Sequence, residues 1–180
     1  SVTPVLTDGT QPVGTGIGPA LEAQDVLAVL CGAGDAPADL RERALDLAGR
    51  LLDLAGGSSG SGRTQAAAIL EEGRALNKFM AICEAQGGFS EPSTAPLRHE
   101  ITAPRNARVA AFDNRTLARI AKLAGAPRAK LAGISLHAKL GATVARGEPI
   151  FTVHAESRGE LDYALAFAAA NPDVIRWESL

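Results

Sequence analysis

The hydrophobic period changes once along the chain, at a proline-containing segment. Before Gly88 apolar residues recur at steps of three and four, as in "ALDLAGRLLDLAG", which predicts amphipathic helices. After "FSEPSTAP" (residues 89–96), runs such as "ARVAAF" and "PIFTVHA" predict strands. The segment is therefore the best candidate for a domain boundary. Helices followed by a mainly antiparallel β-region that carries two helices predict an α+β fold.

Three helices are predicted in the first half, with caps or glycines at their ends. The first spans Pro19 to Leu30, the second starts after Pro37 and stops at Gly56, and the third runs from Thr64 to Ala85. "GGSSGSG" (residues 56–62) predicts a flexible loop. The predicted buried stripes consist of Leu40, Ala44, Leu47, Leu51 and Leu54 in the second helix, and Ile69, Leu76, Phe79, Met80 and Cys83 in the third.

The second half predicts strands, with two helices between them. The strands are His99–Thr102, Arg108–Phe112, Ile134–Ala138 and Ile150–His154, with "DVIRWE" as a closing strand. Glycines at 141 and 147 indicate a hairpin. One helix is expected to begin at an Asn114 cap and stop at Gly125, and the other to be capped by Ser157 with Glu160 in the capping-box position.

Composition excludes several classes of protein. A net charge of −2 with scattered basic residues and 4% aromatic residues argues against a nucleic-acid partner. No apolar run reaches the eighteen or so residues of a membrane span, and no signal peptide is visible, so we expect a cytoplasmic protein. Cys31 and Cys83 are expected to be buried free thiols. The chain starts at Ser1 without methionine, and we expect it to be part of a longer protein.

Three glycines alternate before the first helix in "VLTDGTQPVGTGIGPALEAQD". The dinucleotide pattern G-x-G-x-x-G needs a glycine where Pro19 stands, and an ATP-type loop needs a lysine, yet none precedes Lys78. A glycine-rich loop at a helix N-terminus still presents N–H groups to an anion. An ordinary strand-to-helix connection is the alternative explanation.

Three histidines, His99, His137 and His154, lie in or beside predicted strands. No Cys or Asp stands at metal-ligand spacing from them, so structural roles are expected. The single tryptophan, Trp177, is expected to pack as an anchor near the end of the chain.

Longer strings resemble one enzyme family. "LTDGTQPVGTGIGPALEAQDVLAVL", "GRALNKFMAICEAQGG" and "AGAPRAKLAGISLHAKLGATVARGEPIFTVHAES" occur in the same order as similar segments of the pyrimidine nucleoside phosphorylases. That family includes thymidine phosphorylases and archaeal AMP phosphorylases. The A-G-A-P and H-A-E-S details are most similar to the AMP-phosphorylase-like branch. The resemblance covers essentially the whole chain.

The resemblance implies reversible phosphorolysis by a cytoplasmic homodimer. Orthophosphate attacks a pyrimidine nucleoside or a nucleoside 5′-monophosphate and releases the free base and a pentose 1-phosphate. Residues 1–88 would be the C-terminal part of the large α/β domain, and residues 95–180 a mainly antiparallel, barrel-sandwich-like C-terminal α+β domain. The family's lysine/serine/threonine phosphate site and arginine–serine–lysine base site have no counterpart in this chain. The chain is therefore expected to hold no catalytic residue and to be inactive alone.

The same resemblance implies a cation near the phosphate loop, and no organic cofactor. Its ligands would be the main-chain carbonyls of Val13 and Gly16 and the carboxylate of Asp25. Oxygen-only ligation suits a monovalent or other hard cation. The family more often has glutamate at the last position, so Asp25 is a departure. The alternative for Asp25 is a solvent-facing charge near the start of the helix.

A second resemblance concerns carrier domains. "ITAPRNARVAAF" and "LHAKLGATVARGEPIFTV" are similar to the two halves of a biotinyl/lipoyl domain. A carrier needs a lysine at a hairpin tip, whereas Arg98, His99 and Glu100 stand at the corresponding place, and a helix separates the halves. The remaining alternative is a non-catalytic structural or interaction domain with such a core.

Overall fold

The computed structural model describes residues 2–56 and 60–180 and divides the chain into two compact units. Residues 22–92 form the helical unit, and residues 2–21 together with 93–180 form the β-unit. The α-helices are α1 (Pro19–Leu30), α2 (Ala38–Gly56), α3 (Gly62–Glu71), α4 (Arg74–Ala85), α5 (Asn114–Leu123) and α6 (Arg158–Ala170). The strands are β1 (Gly16–Ile17), β2 (Leu97–Thr102), β3 (Ala107–Phe112), β4 (Gly133–Leu136), β5 (Thr143–Val144), β6 (Pro149–Ala155) and β7 (Ile175–Glu178).

Two glycines let α2 and α3 approach closely in the helical unit. A Cβ built on Gly62 would lie 2.0 Å from the carbonyl oxygen of Gly49, and one built on Gly49 would lie 2.7 Å from the Cα of Arg63. Asp53 Oδ1 accepts a hydrogen bond from the backbone N–H of Gly62 at 2.9 Å, near the start of α3. Any larger residue at 49 or 62 would force these helices apart.

The helical unit corrects two predictions. The single third helix is wrong, because Gly73 adopts a left-handed φ of 73° and separates α3 from α4. The predicted buried stripes are also wrong: no residue of α4 is buried, and Leu47, Leu51 and Leu54 of α2 are exposed. Residues 57–59 of the predicted loop lie outside the described residues.

The β-unit is built from two antiparallel sheets. One has the strand order β1-β4-β6-β2 and the other β5-β3-β7. Its core is a cluster of aliphatic and aromatic side chains from both sheets and from α5 and α6, and it includes Val109, Leu117, Ile120, Ile134, Phe151, Val153, Leu161 and Ala164. Neither sheet closes into a barrel among the residues described. The predicted α+β class is confirmed.

Most predicted elements of the β-unit are confirmed, and two details are wrong. The glycines at 141 and 147 do not flank a hairpin, because β5 pairs with β3 whereas β6 pairs with β2 and β4. The cap of α5 is Asp113 rather than Asn114: its carboxylate accepts from the N–H groups of Arg115 and Thr116, at 3.0 and 3.1 Å. An N-cap carboxylate satisfies N–H groups that the first helical turn leaves unpaired.

The structure also tests the predictions for the cap of α6, for the single tryptophan and for the two cysteines. Ser157 caps α6, as expected, by accepting from the N–H of Glu160 and donating to its carboxylate. Trp177 packs against the core of the β-unit. Cys31 is exposed and Cys83 is only half-buried, so the expectation of buried thiols is wrong. No helix of the described residues combines the length and apolarity that crossing a membrane requires.

Candidate functional site

Residues 9–18, which we call the glycine loop, are attached to the rest of the β-unit at several points. The Asn114 side chain donates to the carbonyl of Gly9 at 2.9 Å, and the N–H of Leu140 donates to Gln11 Oε1 at 2.8 Å. At its far end, the N–H of Leu136 donates to the carbonyl of Thr15 at 2.8 Å. The loop is therefore an ordered part of the β-unit.

The centre of the glycine loop is bound by one ammonium group. Lys139 Nζ donates to the carbonyl of Pro12 at 3.2 Å and also to the carbonyl of Gly14. Lysine carries three N–H donors and no acceptor, so it suits a cluster of carbonyl oxygens. The sequence pattern did not reveal this contact, because 125 residues separate Lys139 from Gly14.

Close packing explains why glycines occur at the end of the loop. A Cβ on Gly16 would lie 2.5 Å from the carbonyl carbon of Leu21, in the first turn of α1. A Cβ on Gly18 would lie 2.3 Å from the carbonyl oxygen of Ala132. Gly18 also has a φ of 140°, a conformation that residues with a side chain rarely adopt. The alternating glycines thus allow the strand β1 and the start of α1 to fit against β4.

The three predicted cation ligands lie in different units. Val13 and Gly16 belong to the glycine loop of the β-unit, and Asp25 belongs to the part of α1 in the helical unit. The Asp25 side chain is buried, with 9% of its surface exposed, so the alternative of a solvent-facing charge is wrong. The described residues contain no group of three or more His, Cys, Asp or Glu side chains that could hold a metal ion. Two of the predicted ligands are main-chain carbonyls, which a set of His, Cys, Asp and Glu side chains does not include. The cation at Val13, Gly16 and Asp25 therefore stays a prediction.

A polar cluster lies on one face of strands β4 and β6. Ser135 pairs with Thr152 in the strand register, and alternate residues share a face. Ser135 Oγ lies 2.9 Å from His154 Nε2, and His137 Nε2 lies 2.7 Å from Thr152 Oγ1. The second nitrogen of His154, Nδ1, is buried and has no hydrogen-bond partner among the described residues.

Burial sets the protonation of the His154 ring. Burial lowers the pKa of His154 below 6.5, because the charged imidazolium loses hydration, and the charges of Arg98 and His137 lower it further. His154 is therefore uncharged at neutral pH and hydrogen-bonded to Ser135, in agreement with a structural role. His99 and His137 are exposed.

The helical unit has an apolar groove between its four helical segments. Its volume is about 440 Å³, and its lining includes Val29, Leu40, Leu45, Leu52, Ile69 and Leu70. Leu51 and Leu54 of α2 are 66% and 63% exposed. Large contiguous apolar surfaces of this kind are uncommon on isolated domains and usually mark a contact with other protein.

The structure does not place a carrier tip where the resemblance to biotinyl/lipoyl domains required one. Arg98, His99 and Glu100 lie inside β2 and are paired along their length with residues of β6. The helix α5 separates β3 from β4, as predicted. The likeness to a carrier domain is therefore limited to the general two-sheet architecture.

The fold and the ordered glycine loop define a two-sheet α+β domain joined to helices. Residues 108–173 match the family model described as the pyrimidine nucleoside phosphorylase C-terminal domain. This part of the chain is thus similar to the C-terminal domain of the pyrimidine nucleoside phosphorylases, and the resemblance to that family predicted from the sequence is confirmed.

Curated relatives match nearly the whole chain. It is 57% identical over 176 residues to "Putative thymidine phosphorylase 1" of Acidovorax sp. (strain JS42), covering 97% of this chain and 34% of the relative. It is 57% identical to "Putative thymidine phosphorylase" of Hahella chejuensis (97% of this chain, 35% of the relative) and 55% identical to that of Legionella pneumophila (strain Corby) (95% and 33%). The chain therefore spans about a third of the length of these relatives.

Proposed function

We propose that the chain is the C-terminal portion of a pentosyltransferase that catalyses reversible phosphorolysis of a pyrimidine nucleoside. The observation that carries this proposal is the 57% identity, over 97% of the chain, to relatives named "Putative thymidine phosphorylase". Orthophosphate would attack the sugar at its anomeric carbon, and the products would be the free base and a pentose 1-phosphate. A nucleoside 5′-monophosphate of the AMP type is the alternative substrate.

This chain would support the site without touching the reacting atoms. Stabilising a phosphate and a departing base requires cationic and hydroxyl donors fixed in place before reaction. The motifs that supply those donors in the family are absent from this sequence. The glycine loop, which is attached at Gly9, Gln11, Pro12, Gly14 and Thr15, would support the phosphate side from behind.

A hard cation forms part of the same proposal. The carbonyls of Val13 and Gly16 and the carboxylate of Asp25 would hold it, and it would fix the loop against the phosphate site. The carboxylate of Asp25 is buried rather than directed to solvent, and oxygen donors of this kind suit a hard cation.

The apolar groove supports the proposal that the helical unit is part of a larger domain in the complete protein. Relatives of this chain are about three times its length, so additional chain is present in them to cover the exposed leucines of α2. We further propose that the complete protein is a cytoplasmic homodimer.

A graft tests the activity. This chain replaces the matching 176 residues of the Acidovorax relative, and the same relative without those residues is the control. Thymidine, uridine and AMP are each incubated with phosphate, and both the base and the pentose 1-phosphate are quantified. We expect turnover by the graft and none by the truncated relative or by this chain alone. A folded graft that releases no base from any of the three substrates would refute the proposal.

A further inference from the structure

Lys139 attaches the glycine loop to the β-unit through a charged group. Lys139 is half-buried, and its ammonium donates to the carbonyls of Pro12 and Gly14. Three other attachments of the loop are neutral hydrogen bonds: Asn114 at Gly9, and the N–H groups of Leu140 and Leu136 at Gln11 and Thr15. A hydrogen bond from a charged donor is roughly twice as strong as a neutral one. Lys139 is therefore the strongest of these attachments.

We propose that the ammonium group of Lys139 is a built-in cation that orders the glycine loop. It binds main-chain carbonyl oxygens, as a potassium or ammonium ion does, and it reaches them from a different part of the chain. Since the charge is covalently supplied, the protein itself holds the carbonyls of Pro12 and Gly14 to the β-unit, and the cation proposed at Val13 and Gly16 would be a separate ion. Lys139 is thus a positioning residue, and removing it makes the order of the loop depend on small cations in solution.

This proposal does not depend on the proposed phosphorolysis, because the order of the loop is measured directly. Hydrogen exchange of a peptide covering residues 9–18 reports the loop, and peptides covering β4 and β6 report the integrity of the sheet. The variants are K139A, which leaves space for a small ion, and K139M, which keeps the aliphatic stem. K130A removes an exposed lysine of the same unit and serves as the matched control. Each protein is measured in sodium chloride and in ammonium chloride of equal concentration.

We expect K139A and K139M to exchange at least about tenfold faster than the wild type in the loop, because each loses hydrogen bonds from a charged donor. The peptides of β4 and β6 and the K130A protein should remain as in the wild type. Ammonium should restore protection in K139A, which has room for the ion, and should change the wild type much less, because the ammonium of Lys139 already occupies that position. Because ammonium donates N–H groups to carbonyls and sodium does not, sodium should restore less protection.

Three results would overturn the proposal. The first is a loop in K139A and K139M that exchanges within about twofold of the wild type, a change too small for the loss of a charged hydrogen bond. The second is a loss of protection in β4 and β6 equal to that in the loop, which would make Lys139 a general structural residue. The third is an equal response of K139A to sodium and ammonium, which would exclude N–H donation to the carbonyls.

Discussion

Replacing Gly16 by alanine tests whether the close approach of the glycine loop to α1 is as tight as the structure shows. The added Cβ would lie 2.5 Å from the carbonyl carbon of Leu21 and 2.7 Å from its carbonyl oxygen. Nonbonded carbon atoms pack at about 3.5–4.0 Å, so the shortfall is about 1 Å. Because both obstructing atoms belong to the backbone, no side chain can rotate away, and β1 or the start of α1 must move.

Overpacking of this kind costs about 1–3 kcal/mol, and we take about 2 kcal/mol for G16A. With a urea m-value of about 2 kcal/mol per M, the unfolding midpoint should fall by about 1 M. Trp177 is the only tryptophan and packs in the β-unit, so its fluorescence during urea unfolding reports that unit.

The matched control lies in the same loop. A Cβ added to Gly9 would have no atom within 4 Å, and Gly9 does not have a left-handed φ, so G9A should change the free energy of unfolding by less than about 0.5 kcal/mol. Equal urea midpoints for G16A and G9A would show that Gly16 does not approach Leu21 closely enough to exclude a Cβ.

Two further predictions concern ionisable groups. The N–H and hydroxyl of Thr116 hold the pKa of Asp113 below its ordinary value of 3.8, so the stability that this carboxylate contributes is present above that pH and is lost as the pH falls through the lowered pKa. D113A should therefore lower the urea midpoint at pH 7 and match the wild type in strong acid; an equal difference at both pH values would contradict the capping role. The pKa of His154 is lowered by burial, so an NMR titration of its ring should give a midpoint below 6.5, and stability should decrease as the pH falls from 6.5 towards that midpoint. A midpoint at or above 6.5 would show that the ring is hydrated in the folded protein.

The sequence predicted most helices and strands, and it failed where distant contacts decide the outcome. The apolar period located α1 and α2, but it did not show that Gly73 would break the next helix, since an isolated glycine is tolerated in many helices. Glycines around β5 suggested a hairpin, whereas the pairing of β5 with β3 depends on how the two sheets pack. The apolar stripe that contains Leu51 was predicted to be buried but is exposed. An apolar period indicates an amphipathic helix, and it does not show which part of the protein covers the apolar side.

The same contrast holds for the candidate site: its local spacing could be predicted from the sequence, and its contacts between distant residues could not. Spacing of Gly14, Gly16 and Gly18 before a helix identified the loop, because such spacing is a local property of the sequence. Lys139 carried no local signal, since a lysine between a strand and a turn is usually a solvated side chain. Only the fold brings its ammonium to the carbonyl of Pro12. The serine–histidine contact across β4 and β6 was likewise hidden until the register of the two strands was known.

In the proposed function, the glycine loop supports the phosphate side of a phosphorylase site. The most direct test is the KM for phosphate of the graft with the Acidovorax relative, measured for the unmodified graft, G16A and G9A at saturating thymidine. We predict a raised KM for phosphate in G16A, an unchanged value in G9A, and a smaller change in the KM for thymidine in both. Equal phosphate KM values for all three proteins would contradict the claim.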